Sequence, residues 1–272
     1  MKRCISIFLV VVCMITGCGN QKLRTAAEST IPLTDKEYQA FSGQIENEPV
    51  VMIIYREEEL LTVYYSDKMR THTNLLTGAY DTEKNSFLLI SAETGESFEG
   101  VYCSIEDNTD NHSKNFLIGI LTTADGSQKE VSAEYVRSYE NHESTKATFY
   151  REGIWDYDPF VVMSFIEIFA AAVFVDDKET LAGMMEYPLS VGLDEGDIKI
   201  ENAEEFVEAY DHIITDYTKE RVQKGFETNL FINYMGVNFG GVILFYSTDN
   251  GIFRINNLTK SREHKEPHIQ KG

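Results

Sequence analysis

From Glu37 to Val136 the apolar residues come in short bursts separated by turn formers, the pattern of many short strands. Eight strands are predicted: Phe41 to Ile45, Val50 to Tyr55, Leu60 to Tyr65, Asn74 to Tyr80, Phe87 to Ser91, Phe98 to Ser104, Phe116 to Thr122 and Lys129 to Tyr135. Turn signals fall between them at Glu83, Lys84 and Asn85, at Thr94 and Gly95, and at Asp125 and Gly126. A glycine with apolar neighbours on either side recurs in this stretch: Phe41, Gly43, Ile45; Leu76, Gly78, Tyr80; Phe98, Gly100, Tyr102; Phe116, Gly119, Leu121. Glycine at mid-strand marks a bulge, a bend or a close backbone approach, and repeated bends suit a small curved sheet closing towards a barrel. Residues 37–137 therefore read as an all-β meander, barrel-like.

The rhythm changes after a polar stretch, taken as a linker over 138–157. Asp158 followed by Pro159 is a helix start, and Phe160 to Val175 is apolar almost throughout, with Glu167 its only strongly polar residue. A run this short, with an ionisable group near its centre and acidic flanks, predicts a buried core helix and not a membrane span. Asp176 with Glu179 suggests a capping box for a second helix, Lys178 to Met185, followed by strands at Tyr187 to Leu193 and Ile198 to Ile200. Asn202 with Glu205 opens a third helix, in which Phe206, Ala209, Tyr210, Ile213, Ile214 and Tyr217 share one face. Strands at Phe226 to Tyr234, Gly241 to Tyr246 and Ile252 to Asn256 complete an α+β unit over 158–257, with Asn250 and Gly251 as the last turn and 258–272 as a polar tail. The fold class expected is mixed: a β-barrel-like unit, then an α+β unit.

At the other end, Met1, Lys2 and Arg3 precede a 12-residue apolar run, Ile5 to Thr16. As a helix it would reach about 18 Å, well short of the roughly 30 Å hydrocarbon layer, so it fits a signal-peptide core better than a permanent span. It ends in Ile15, Thr16, Gly17, Cys18, which resembles the lipobox of bacterial lipoproteins. That resemblance implies a diacylglycerol on the Cys18 thiol, cleavage between Gly17 and Cys18, and an N-acyl chain such as palmitate on the new terminus. Residues 1–17 would be the signal peptide and 18–36 a lipidated cysteine with a polar tether; the alternative is an ordinary signal peptide whose cleavage site contains a cysteine. Two or more acyl chains make a stable anchor.

Charge narrows the partners. The chain carries a formal −20, and loss of Lys2 and Arg3 with the leader would make it −22. Nucleic acid is not expected as a partner, because no stripe of Lys and Arg is there to neutralise phosphates. Contact with membrane is expected only through the lipid, since an acidic body is repelled by anionic lipid. Of four cysteines, Cys4 and Cys13 lie in the leader; Cys103 is left without an internal partner and reads as a buried strand residue.

The first unit is similar in rhythm to lipocalin-like and other meander barrels of exported bacterial proteins. Such barrels either hold a small apolar molecule or are filled by their own side chains. In the second unit, Asp177 and Lys178 ahead of Leu181, then Tyr187, Pro188 and Leu189, then Phe206 to Ile213, then Leu230 to Val237 resemble the NTF2-like family. The resemblance implies a cystatin-like cone, a curved sheet wrapped round a long helix, over about Asp158 to Asn257. That family includes both enzymes and pockets without a reaction, so the fold decides no activity.

The residues that could carry chemistry are Glu167 on the central helix, Tyr187 and Tyr234 on strands, and Tyr210, Asp211 and His212 on the third helix. A carboxylate in an apolar pocket could shuttle a proton with a tyrosine as hydrogen-bond donor. The plainer reading makes Glu167 a neutralised or solvent-facing helix residue, the tyrosines core residues with satisfied hydroxyls, and His212 exposed. The loop Asp107 to Lys114 fails the EF-hand pattern, with His112 where glycine is needed and Ile118 in place of the bidentate glutamate. His264 and His268 stand in the polar tail, and no metal or cofactor beyond the lipid on Cys18 is expected. The whole reads as a lipid-anchored extracytoplasmic protein of the cell membrane or outer membrane, a binding or interaction module for a small apolar ligand or an envelope protein. An NTF2-like enzyme acting by acid/base chemistry on an apolar substrate and a structural envelope component are the alternatives.

Overall fold

The computed structural model describes residues 33–69, 72–106, 113–139, 158–193, 196–226, 231–233, 236–247 and 253–259. Eight strands come first: β1 (Tyr38–Ile45), β2 (Glu48–Glu57), β3 (Leu60–Asp67), β4 (Thr73–Asp81), β5 (Ser86–Ile90), β6 (Ser97–Glu106), β7 (Ser113–Thr122) and β8 (Gln128–Tyr139). Each pairs antiparallel with the next, and β8 returns to β1 with Tyr38 opposite Tyr139, so the sheet closes into a barrel. These are the eight strands that the alternation predicts, most of them longer at one or both ends, and β8 most of all.

Alternation sends one set of side chains inward on every strand. Phe41, Met52, Leu61, Tyr65, Leu76, Phe98, Tyr102 and Leu117 belong to one buried apolar cluster in the barrel interior. Its rings meet edge to face, Phe87 and Phe98 at 4.8 Å and Phe41 and Tyr102 at 6.2 Å between centroids. Leu33, ahead of β1, joins the same cluster with no exposed surface.

The recurring glycines stand where the closing sheet brings backbones together. A Cβ on Gly43 would lie 2.0 Å from the Ser132 carbonyl oxygen, and one on Gly78 would lie 2.0 Å from that of Leu88. Gly100 and Gly119 face each other across β6 and β7, and each would press on a ring or a carbonyl if it carried a side chain.

The α+β part begins with α1 (Pro159–Phe174), followed by α2 (Lys178–Met184), β9 (Met185–Leu193) and β10 (Gly196–Ile200). Then come α3 (Ala203–Ile213), α4 (Asp216–Gly225), β11 (Phe231–Asn233), β12 (Gly236–Phe239), β13 (Ile243–Ser247) and β14 (Phe253–Thr259). The sheet order is β10-β9-β14-β13-β12-β11, antiparallel except where β14 runs parallel to β9.

Asp158 caps α1 as its sequence suggests, accepting the Phe160 amide at 2.9 Å, with Pro159 in the first turn. Apolar on all sides, α1 is buried because it lies between two partners. Phe165 stacks on Phe245 of the sheet, with centroids 4.7 Å apart, while Phe160 meets Tyr38 on the outer wall of the barrel at 5.0 Å. Tyr38, Ala40, Val51 and Ile53, outward residues of β1 and β2, thus belong to the same buried cluster as α1 and the second sheet. Among the described residues no helix is long and apolar enough to cross a membrane.

Three local expectations need correcting. The cap of α2 is Asp177, which accepts the Thr180 amide at 3.1 Å; Asp176, at φ 56°, still belongs to the left-handed turn that leaves α1. The third helix does not run to Tyr217, because Ile214 is extended and Thr215 and Thr218 cap a new helix, α4. That helix occupies the chain up to Gly225 with Phe226 as its cap, so the expected strand does not begin at Phe226; the described strand is β11, Phe231–Asn233, and a separate short strand, β12, precedes β13. The predicted turn at Asn250 and Gly251 lies outside the described residues.

Candidate functional site

Glu167 is the natural place to start, because a carboxylate in the middle of an apolar helix needs a partner. It is 6% exposed and faces the end of β8. The Tyr139 hydroxyl donates to Glu167 Oε1 at 2.6 Å. Arg137 Nε lies 3.0 Å from the same oxygen, a charge contact without hydrogen-bond alignment. The Arg137 guanidinium in turn lies over the Phe226 ring, 3.4 Å from its centroid, at the end of α4. One carboxylate therefore ties together α1, β8 and α4.

Burial pushes the Glu167 carboxyl above its ordinary value of 4.5, against the opposing pull of Arg137 and the Tyr139 hydroxyl. Burial also pushes the Tyr139 phenol well up, helped by the neighbouring carboxylate. The proton thus stays on Tyr139, and the hydroxyl acts as a fixed donor. Chemically this is a lock between two units, with its oxygen already claimed by two groups of the protein.

The other candidates are scattered. Tyr187, on β9, donates to the Ala182 carbonyl of α2 at 3.0 Å, and burial pushes its phenol up to about 12. Tyr210, on α3, donates to Asp176 Oδ1 at 3.0 Å; burial first and then that carboxylate push its phenol up. Asp176 also receives Lys219 of α4 at 2.9 Å, so the left-handed turn after α1 anchors two helices. Asp211 is exposed and meets Lys178 at 3.1 Å, and His212 is exposed. Tyr234 lies outside the described residues, as do Cys18 with the cleavage site at Gly17, most of the loop Asp107 to Lys114, and His264 and His268. Glu167, Tyr187 and Tyr210 do not converge: each hydroxyl or carboxyl is spent on a different neighbour.

One polar cluster was not anticipated. At the barrel end that carries the β3–β4 and β5–β6 turns, Tyr65 donates to Glu96 Oε2 at 2.7 Å and sits 2.9 Å from His72 Nε2. Asn74 also bonds Glu96, and Ser91 donates to Asn74 Oδ1 at 2.8 Å. Glu96, Asn74 and Ser91 are all buried. Because Tyr65 gives its hydrogen to Glu96, His72 is the donor to the Tyr65 oxygen, which sets its tautomer. In the sequence the only trace is a set of polar residues at the ends of apolar runs, indistinguishable from turn residues. Glu96 closes the barrel end with neutral donors and holds both turns in place.

Cys103 on β6 is a buried free thiol, and burial pushes its pKa up and so suppresses the thiolate, which makes it a poor nucleophile. Among the described residues no three His, Cys, Asp or Glu side chains come together in a way that could hold a metal ion. A comparison with protein-family models, with curated proteins and with solved structures finds no match to the chain.

Proposed function

We propose that this protein is a lipid-anchored, extracytoplasmic interaction module, fixed to the cell membrane or outer membrane through acyl chains on Cys18, whose folded part engages a protein partner by its outer surface. The observation that carries the choice of a surface over a cavity is the barrel interior, where Phe41, Tyr65, Phe87, Phe98 and Tyr102 occupy the space that a small apolar ligand would need. The acid/base alternative has little behind it, since Glu167 spends its carboxylate on Tyr139 and Arg137 and the tyrosines Tyr187 and Tyr210 are engaged elsewhere. The address rests on the residues Ile15 to Cys18 and the apolar run before them.

The second unit is read as NTF2-like, a cystatin-like cone. What supports this is the order of elements, a long buried helix, a short helix, two strands, further helices and a meander, together with the parallel pairing of the unit's first strand, β9, with its last, β14. In this reading the cone serves to coat one side of the barrel, its long helix filled in from both faces.

The reading is tested by replacing Cys18 with Ala and fractionating cells. The wild-type chain should sediment with membranes and carry an acyl mass increment, and Cys18→Ala should move to the soluble fraction; an unmodified Cys18 thiol would dispose of the anchor. Native mass spectrometry of the purified full chain tests the rest: a stoichiometric apolar small molecule retained by the barrel would overturn the choice of a protein partner.

A further inference from the structure

The outer wall of the barrel is apolar beyond the part that the α+β unit covers. Helix α1 packs on β1, β2 and β3, and Tyr64 on the outward side of β3 is 8% exposed. Tyr64 pairs with Leu75 of β4, and there the cover ends: Leu75 is 44% exposed. Next to it run two rows across the strands. Leu60, Ala79 and Leu88 stand abreast on β3, β4 and β5, as do Thr62, Thr77 and Ile90. Leu60 and Ile90 are each 53% exposed and Leu88 51%. Four of the large apolar side chains most open to water thus share one face, although charged or polar residues would be free to stand there.

We propose that this face, Leu60, Leu75, Leu88 and Ile90, is the docking site for an amphipathic helix of a protein partner, with Lys or Arg along the edges of its apolar stripe. This rests on the reading of the chain as an interaction module and names where and with what chemistry it interacts. Three observations select the occupant. The barrel is closed, so it has no free edge for a strand to join, and contact must go through side chains. The same wall, two strands further round, is already covered by an apolar helix, α1, so the uncovered part continues an interface whose form is known. Strands β3, β4 and β6 contain acidic residues and none of β3 to β6 contains Lys or Arg; Asp81 at the end of β4 is paired with Lys84, but Glu99 stands directly opposite Leu88, with Glu59 next to Leu60. An acidic border favours a basic partner, disfavours a second copy of a chain at −20, and disfavours an anionic bilayer.

The probe is a short synthetic helix with leucines on one face and lysines on the other, labelled for fluorescence anisotropy, and its counterpart with glutamates in place of the lysines. The full chain should bind the lysine peptide and not the glutamate one, and Leu88→Asp or Ile90→Ser should each weaken binding about tenfold or more, as loss of a buried side chain implies. Leu88→Asp separates docking from plain charge attraction, because it makes the protein more acidic: binding that is unchanged or tighter in that variant overturns the proposal. So does a dimer in sedimentation velocity that Leu88→Asp dissociates, or binding to vesicles of phosphatidylethanolamine and phosphatidylglycerol that the same variant abolishes. Both side chains are exposed, and unchanged circular dichroism and thermal melting check that the variants fold. Intact mass at Cys18 is read on the same samples, so loss of the docking face with the lipid in place rejects the face alone, whereas a bare thiol rejects the anchor whatever the peptide does.

Discussion

Glu167 shows how a single polar residue in an apolar run is read differently with and without its neighbours. Its oxygen takes the Tyr139 hydroxyl at 2.6 Å and faces Arg137, and these come from the end of a strand 28 residues away in the chain. Because burial lifts the carboxyl above 4.5, the folded chain keeps a proton over a range where the unfolded chain has released it. With fewer protons bound in the unfolded state, stability falls as pH rises from about 4.5 through the raised value. Glu167→Gln should flatten this slope. Urea midpoints measured across the acid range check it, and an equal slope in wild type and variant would assign the pH dependence to other groups. Tyr139→Phe leaves the carboxylate with one donor fewer and should cost about 2 kcal/mol at neutral pH, the usual worth of a hydrogen bond to a charged group. The Phe226 ring under Arg137 keeps that guanidinium in place in both variants.

At the scale of elements, the barrel was legible and the second half only in part, for reasons that differ residue by residue. Strand alternation is a local signal, so β1 to β8 can be read one at a time, and the four spaced glycines add the curvature that closes them. The split between α3 and α4 is hidden because Tyr217 keeps the helical spacing of Phe206, Tyr210 and Ile213, while the break depends on the Thr215 and Thr218 cap. Strand β12 is four residues, too short to show a period. The glycines make a direct test of the closure argument. Gly78→Ala would force a Cβ to 2.0 Å from the Leu88 carbonyl oxygen, and the backbone must give way at a cost of about 2–3 kcal/mol. Gly95→Ala, in a turn at φ 76° with open space around it, should cost only about 1 kcal/mol, from backbone conformation alone. Equal losses in denaturant titrations of the two variants would mean that the repeated glycines serve turns and flexibility and not the approach of neighbouring strands.

The two halves of the molecule are joined by more than a linker, and this sets how the whole should unfold. Tyr38, Ala40, Val51 and Ile53 point away from the barrel interior, yet they are buried in the core that contains α1 and the second sheet. Neither half can therefore leave without exposing part of the other's apolar surface, and each element of the seam adds to this: the Glu167 lock at β8, and the 2.9 Å ion pair of Lys68, after β3, with the Asp177 cap of α2. A shared core of this kind predicts one cooperative thermal transition, with calorimetric and van't Hoff enthalpies in agreement. Ala40→Asp is the sharpest probe of it. Ala40 has no exposed surface and belongs to the core shared with α1, not to the cluster of the barrel interior, so the new carboxylate is buried only while α1 covers the wall. The barrel, whose interior cluster is untouched, should stay folded while the helical cover lifts, and the single transition should separate into two, the earlier one carrying most of the loss of helical circular dichroism. If instead the variant melts once, with helix and sheet signals falling together, the barrel does not stand without its cover. The shared wall would then be part of a single folding core and not a seam between two bodies.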